Sequence, residues 1–225
     1  FWEPVKKGIL FSLSLHHSNG AIAWNMDEYE KTDEDYLLTG CSSIAKSLEC
    51  AIAICQVLEH QSIESEWRDS HSKLIVALEN PAEIFDLKKD RSRFSMDWYY
   101  PILGGINSKQ RITSLIENIE DSFWIKGLGI KCVSDEPWVT VAETSECSIA
   151  YKKIGEDKIA SELLLNAIAI VDREGIPYMG WQFYENIYWP EETPSWTSAA
   201  CILAADAHNP LTTGADLFIK QQFKL

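Results

Sequence analysis

At three places in the sequence, acidic residues lie next to clusters of aromatic residues. Such a combination could catalyse a reaction or bind a ligand. The densest cluster is the run Asp97-Trp98-Tyr99-Tyr100. An acid beside three rings could protonate a substrate whose developing positive charge the rings stabilise. The same residues could instead hold a sugar, with the rings on its apolar face and the carboxylate on its hydroxyl groups. In a purely structural alternative the rings pack between helices and Asp97 caps the helix that follows.

The second place begins at Asp135 and includes two glutamates further along, Glu143 and Glu146. At a spacing of three residues, these glutamates occupy neighbouring positions on one helix face. Paired carboxylates in an apolar cavity push their pKa values apart, which gives one acid and one base. A structural role competes, because Glu143 has capping-box spacing from Thr140 and Glu146 matches Glu49 in an earlier repeat. Asp135, in the loop before a predicted helix, is therefore the preferred catalytic residue here.

The third place is the run 181–196, which is dense in aromatic and acidic residues. A long loop of that composition is costly unless it is buried or binds something. We favour a binding role, with Trp189, Glu191 and Trp196 as candidates. The alternative is a lid over the core with its acids in solvent.

Two sets of candidate residues follow from these clusters. The candidate catalytic residues are Asp97, Asp135, Glu143 and Glu191. The candidate substrate-binding aromatics are Trp98, Tyr99, Tyr100, Trp138, Trp181, Trp189 and Trp196. The cysteines and histidines have no metal-ligand spacing and no phosphate-binding glycine loop is present, so we expect no metal and no cofactor.

The net charge of the chain limits the classes of partner that it could bind. Asp and Glu number 34 against 20 Lys and Arg, which gives a net charge of -14. Phosphate binding needs clustered cations, so we expect neither nucleic acid nor an anionic membrane as partner, but a small molecule, a glycan or an isoprenoid. No apolar run approaches about 18 residues, which predicts no membrane span. Unpaired cysteines in apolar runs predict a reducing, cytoplasmic location. The oligomeric state stays open.

Internal repeats organise the elements that must position these residues. Three similar stretches lie at 47–53, 145–150 and 199–204, and their spacing of about 50 residues places a fourth at 96–106. Each has a tryptophan upstream: Trp24, Trp98, Trp138 and Trp181. Runs of small residues such as 42–58 predict buried inner helices.

The segments between the small-residue runs predict an outer layer of helices. Segments 62–79, 108–124 and 157–172 are amphipathic, and alternation with buried helices is typical of a helical hairpin array. The runs 21–24 and 178–183 predict short extended connectors.

Local signals predict where some helices begin and end. Helix starts are expected at Thr140 and at Thr193-Pro194, where proline would take the first helical position. Helix stops are expected at Asn80-Pro81, Gly155 and Asn209-Pro210.

Longer stretches resemble a known family. Residues 37–44, 94–105, 127–146 and 194–206 resemble bacterial proteins called prenyltransferase-like, which are relatives of the squalene-cyclase and prenyltransferase repeat proteins. The resemblance covers about 24–206. It implies an α/α toroid in which inner helices surround a central cavity and loops at one end form the site. The acid motif of triterpene cyclases and the zinc ligands of protein prenyltransferases are not recognisable in this chain.

These observations predict an all-α fold, an α/α toroid or partial (α/α) barrel of about four helical hairpins. The whole chain, 1–225, would form one domain. Toroids of the resembled kind close with about six hairpins, and the chain begins with Phe1 rather than Met. We therefore expect either an open arc or a fragment that lacks N-terminal hairpins.

Three functions remain open at this stage. We favour an enzyme that acts on a carbohydrate by acid/base catalysis, of the glycoside hydrolase or lyase type, because aromatic platforms and carboxylates suit sugars. The first alternative is a terpenoid cyclase or prenyltransferase-like enzyme acting on an isoprenoid. The second is a non-catalytic binding scaffold.

Overall fold

The computed structural model describes residues 1–224, which contain eight α-helices and five short β-strands. The helices are α1 (Trp2–Ser14), α2 (Leu38–Val57), α3 (Gln61–Glu79), α4 (Met96–Gly104), α5 (Lys109–Ser122), α6 (Val141–Lys153), α7 (Asp157–Ile168) and α8 (Ser195–His208). The strands are β1 (Trp124–Ile125), β2 (Gly129–Ile130), β3 (Trp138–Thr140), β4 (Gly180–Gln182) and β5 (Ile187–Tyr188). The predicted helical fold built of hairpins is confirmed.

The chain divides into two compact units. Unit 1 comprises residues 1–91, 100–111 and 221–224, and unit 2 comprises residues 92–99 and 112–220. The prediction of one domain over the whole chain stays a prediction.

Unit 1 is built around α2, which packs against α1 and α3. Its core includes Leu48 and Ile52 from α2 and the fully buried Trp67 from α3. Small residues let neighbouring backbone come close: a Cβ on Gly104 would stand 2.8 Å from the Ser42 carbonyl oxygen. The small-residue composition of α2 thus has a packing function.

A short segment from the far end of the chain completes this core. The Gln222 amide donates to Glu49 Oε1 at 2.8 Å, and the Lys224 amide donates to Gln56 Oε1 at 3.0 Å. Between them, Phe223 enters the core with the Arg68 guanidinium 4.4 Å from its ring centre. Residues 222–224 therefore bind along α2 and α3.

Unit 2 is built around α6, which packs against α7 and α8. The polar residues of α6 are buried because their hydroxyl groups find acceptors. Thr144 and Ser145 donate to the carbonyl groups four residues back, at 2.5 and 2.7 Å, and Ser148 donates to the Ala160 carbonyl at 2.7 Å. The last bond ties α6 to α7.

Most predicted helices are confirmed within a few residues: α2 for 42–58, α3 for 62–79, α5 for 108–124 and α7 for 157–172. The predicted stops are confirmed as well, since Asn80 and Asn209 are C-caps and Gly155 follows α6 with a φ of +87°. Of the predicted extended connectors, 178–183 contains β4, and Ile22 of 21–24 forms an isolated bridge with His16.

The predicted start at Thr140 is confirmed, since Thr140 is the N-cap of α6, although its side chain makes no capping bond. Two other terminal assignments are wrong in detail. Pro194 is the N-cap of α8 and not its first residue. Asp97 lies in the first turn of α4, which begins at Met96, so it does not cap that helix.

The statement that no apolar stretch approaches the length of a membrane span is wrong for one helix. By length and composition, α2 could cross a membrane. However, 56% of that window is buried inside the protein, as in the core helix of a globular unit. This helix is therefore weak evidence for a membrane span.

Candidate functional site

A small antiparallel sheet in unit 2 positions three of the seven predicted aromatic residues, since it carries Trp138 and Trp181, and Trp189 directly follows its last strand. β4 pairs with β3 on one side and with β5 on the other, in the order β3-β4-β5. In this register Trp138 faces Gln182 and Trp181 faces Tyr188. Because α6 follows β3 directly and α8 follows shortly after β5, the sheet lies at the starts of both helices.

The rings on this sheet contact one another. Trp138 and Trp189 meet edge to face with ring centres 5.2 Å apart, and the Trp138 indole nitrogen donates to the Trp189 carbonyl at 2.6 Å. Tyr188 stacks on Tyr178 at 4.0 Å and meets Trp181 edge-on at 4.9 Å. We call Trp138, Tyr178, Trp181, Tyr188 and Trp189 the aromatic surface.

Part of the aromatic surface faces solvent. Trp189 is 53% exposed although its partner Trp138 holds it in place. A sugar-binding platform requires indole rings that are both exposed and ordered. Such a ring offers a flat apolar face to the ligand and loses little side-chain entropy on binding. Trp196, also 53% exposed, lies on the first turn of α8 and is not one of the ring pairs described above. Glu191 is exposed immediately after this sheet.

Gly180 is required at the centre of the sheet. A Cβ at this position would lie 2.5 Å from the Val139 carbonyl oxygen and 2.6 Å from the Trp138 indole nitrogen. Real Cβ atoms do not come so close to other heavy atoms. The Trp138 ring therefore occupies the space that a side chain at position 180 would need.

The segment 92–99 is attached to α6 and to the chain before β3. The Ser95 amide donates to the Cys132 carbonyl at 3.0 Å, and the Tyr99 hydroxyl donates to Glu146 Oε2 at 2.8 Å. Asp97, between these anchors, is only 5% exposed. The structure thus places the segment that carries Asp97 and Tyr99 against the helix that carries the two predicted glutamates.

The remaining members of the predicted cluster at 97–100 are placed differently. The Trp98 indole nitrogen donates to the Ser92 carbonyl at 2.9 Å, which fixes the ring on its own segment. Tyr100 belongs to unit 1 and is half-buried there.

Glu143 has a thiol as neighbour. It lies half-buried in the first turn of α6, and the Cys132 thiol hydrogen-bonds to its carboxylate. Burial, together with the negative charge of Glu143, raises the pKa of Cys132 to about 12. The thiol is therefore protonated at neutral pH and can only donate to Glu143.

Asp135 is held by an arginine. Arg93 Nη2 lies 2.8 Å from Asp135 Oδ1 and 3.0 Å from Oδ2, and Arg93 Nε donates to Oδ1 at 3.2 Å. These hydrogen bonds lower the pKa of Asp135, whose side chain is 59% exposed. Asp135 is therefore ionised at neutral pH and can accept a proton but has none to give.

A second pair of acids was not singled out from the sequence. In unit 1, Asp86 Oδ2 accepts the Leu38 amide at the start of α2 at 3.4 Å. Burial raises the pKa of Asp86, and the nearby negative charge of Asp35 adds to that effect. Asp35 stands in the acidic run before α2, which was a usable signal, but Asp86 lies in a loop without any pattern.

Metal ligation has little support in this arrangement. Among residues 1–224, no group of three or more His, Cys, Asp or Glu side chains is placed to hold an ion.

Comparison with known proteins finds a relative over almost the whole chain. No family model matches the chain. The chain is 36% identical over 217 residues to a protein of Mycolicibacterium hassiacum named MMP endo-(1,4)-3-O-methyl-alpha-D-mannosidase. The match covers 96% of this chain but 59% of the length of that relative, so the chain spans little more than half of it.

Proposed function

We propose that this chain belongs to a glycoside hydrolase that cleaves within chains of 1,4-linked 3-O-methyl-α-D-mannose. The observation that carries the proposal is the 36% identity to a mannosidase of that specificity over almost the whole chain. The aromatic surface supports it independently, because exposed and mutually ordered rings suit the apolar faces of sugars. A methyl ether enlarges such a face, so a methylated mannose gains more from ring contact than a plain one.

Cleavage of a glycosidic bond needs one acid and one base or nucleophile. Asp97 is the proposed acid: it is buried, at 5% exposed, on the segment that the Tyr99–Glu146 hydrogen bond holds against α6. Glu143 is the proposed base: it lies half-buried in the first turn of α6, and the Cys132 thiol hydrogen-bonds to its carboxylate. Asp97 gives its proton to the leaving oxygen as the glycosidic C–O bond breaks, while Glu143 takes a proton from a water whose oxygen bonds to the anomeric carbon.

The other predicted carboxylates take lesser roles in this proposal. Asp135, ionised and bound to Arg93, would fix the loop that leads into β3. Glu191, exposed beside the aromatic surface, would accept hydrogen bonds from sugar hydroxyl groups. The Tyr99 hydroxyl would hold Glu146, and the predicted α/α toroid would supply the frame.

The experiment is to incubate the purified chain with 3-O-methyl-α-D-mannose oligosaccharides and to separate the products by chromatography. We expect internal cleavage, loss of turnover in Asp97→Asn and in Glu143→Gln, and retained binding in both variants. Glu174→Gln is the matched control, because Glu174 is an exposed turn residue of unit 2, in the chain between α7 and β4.

Binding measurements separate this proposal from its alternatives. Tight binding of prenyl diphosphates or neutral polyenes, with none of the methylmannose chains, would overturn it in favour of an isoprenoid enzyme. Binding of the oligosaccharide without cleavage, by the original chain as well as the variants, would favour the scaffold alternative.

A further inference from the structure

We propose a second glycan-binding subsite, in unit 1, on the hairpin formed by residues 24–34. This inference depends on the proposed function, because it takes the same class of ligand, a neutral oligosaccharide. It concerns residues that neither the catalytic proposal nor the aromatic surface uses.

The hairpin forms one wall of an open cleft of about 490 Å³. Lys88 comes from the loop after α3 and completes the lining together with Asn25, Thr32 and Asp33. The cleft is large enough for about one or two sugar rings by the usual scale of ligand pockets. It lies wholly within unit 1.

One aromatic residue, Trp24, is joined to the cleft wall by a hydrogen bond, although the ring itself is not part of the lining. Trp24 is 55% exposed, yet its indole nitrogen donates to the Asp33 carboxylate, which also accepts from Lys88. Lys88 is the main cause of the lowered pKa of Asp33, so this carboxylate is ionised and holds both donors. A ring that is exposed and still tethered offers a flat face to a ligand at little cost in side-chain entropy.

The polar groups of the cleft suit hydroxyl groups. Asn25 supplies an amide, which both donates and accepts, and Thr32 supplies a hydroxyl group. His17 Nε2 lies 3.1 Å from Thr32 Oγ1 and fixes that hydroxyl from below. Three acidic side chains, Asp27, Asp33 and Glu34, and two basic ones, Lys31 and Lys88, line the cleft, and Lys88 pairs with Asp33. The charges of the lining therefore nearly cancel, which suits a neutral polyhydroxylated ligand.

The position of this hairpin within the repeat supports the assignment. Residues 24–34 lead into α2, as β4 and β5 lead into α8. Both hairpins turn on a non-glycine residue with positive φ, Glu30 at +61° and Asn186 at +58°. The hairpin before α8 carries the exposed Trp189, and the hairpin before α2 carries the exposed Trp24.

The test is ¹⁹F NMR of the full chain with all nine tryptophans replaced by fluorotryptophan, titrated with a 3-O-methyl-α-D-mannose oligosaccharide. Trp24→Phe, Trp189→Phe and Trp67→Phe assign three resonances. We expect the Trp24 and Trp189 signals to shift on binding, while the signal of Trp67, fully buried in unit 1, stays in place.

Affinity measurements on variants complete the test. Trp24→Ala should weaken binding of the oligosaccharide about threefold to tenfold, as expected for the loss of one ring contact. Tyr29→Ala is the matched control and should bind as the original chain does. Neither ring is in the lining of the cleft, but the Trp24 indole nitrogen donates to the lining residue Asp33, whereas Tyr29 is 82% exposed on the same hairpin.

The outcomes separate the two proposals. A saturable shift of Trp189 with a stationary Trp24 signal, or unchanged affinity in Trp24→Ala, would overturn the second subsite and leave the proposed function intact. No shift of either signal and no measurable binding would overturn both.

Discussion

A single methyl group added at Gly180 should disturb both the stability of unit 2 and its binding surface. The new Cβ would lie 2.5 Å from the Val139 carbonyl oxygen and 2.6 Å from the Trp138 indole nitrogen. Ordinary van der Waals contact starts near 3.4 Å, so backbone and indole must both move by almost an ångström. Gly180 does not have a positive φ, so the cost of Gly180→Ala is steric and not conformational.

The magnitude follows from the cost of overpacking. Extra methyl groups in well-packed regions destabilise by about 1–3 kcal/mol. We expect the cost of Gly180→Ala to lie at the upper end of this range, because one of the two obstructing atoms is a backbone atom of the β3–β4 ladder. We therefore expect the free energy of unfolding to fall by about 2–3 kcal/mol. Since Trp138 holds Trp189, oligosaccharide affinity should fall as well.

Urea unfolding followed by circular dichroism would measure the stability change, and calorimetric titration the affinity. Gly8→Ala is the matched control: nothing lies within 4 Å of a Cβ there, and Gly8 is inside α1. Alanine should stabilise that helix by up to about 1 kcal/mol. If Gly180→Ala unfolds at the same urea concentration as the original chain and binds equally well, the assignment of Gly180 as the space for Trp138 is wrong.

Three further predictions concern other parts of the chain. Burial lowers the pKa of three histidines, His16, His71 and His208. Their contribution to stability is complete above the unfolded value of about 6.5 and is lost as pH falls through the folded pKa values, so urea midpoints should fall from pH 7.5 to pH 5.5. Phe223→Ala should cost about 3–4 kcal/mol in unit 1 by urea unfolding, because the ring is 9% exposed; a loss below about 1 kcal/mol would contradict its place in the core. Asp135→Asn should change stability by less than about 1 kcal/mol, because its pair with Arg93 is exposed, and a larger loss would show a structural role beyond that pair.

Local patterns were sufficient to predict the helices but not the contacts that make the site. The spacing of apolar and small residues in α2 predicts burial directly, because every turn of a core helix must place such residues against the core. The pairing of Trp138 with Trp189 depends on a sheet that joins residues far apart in sequence, and no local pattern encodes that register.

The same limit applies to the carboxylates. Asp135 was preferred as a catalytic residue from its place in a loop before a helix, whereas its bond to Arg93 requires the fold to bring residue 93 close. The thiol beside Glu143 arises in the same way. Helix α1 was not predicted, because no repeat or strong periodicity marks it.

The binding of residues 222–224 to α2 and α3 has a consequence for synthesis of the protein. The bond between Gln56 and Lys224 joins residues 168 positions apart. At about 5–20 residues per second, the ribosome needs roughly 8 to 34 s to make that interval. During this time α2 and α3 have already emerged, while Phe223 is still absent from their core. Unit 1 would therefore wait with an open apolar groove until unit 2 has been made, and chaperones that recognise exposed apolar segments would meet it in that interval.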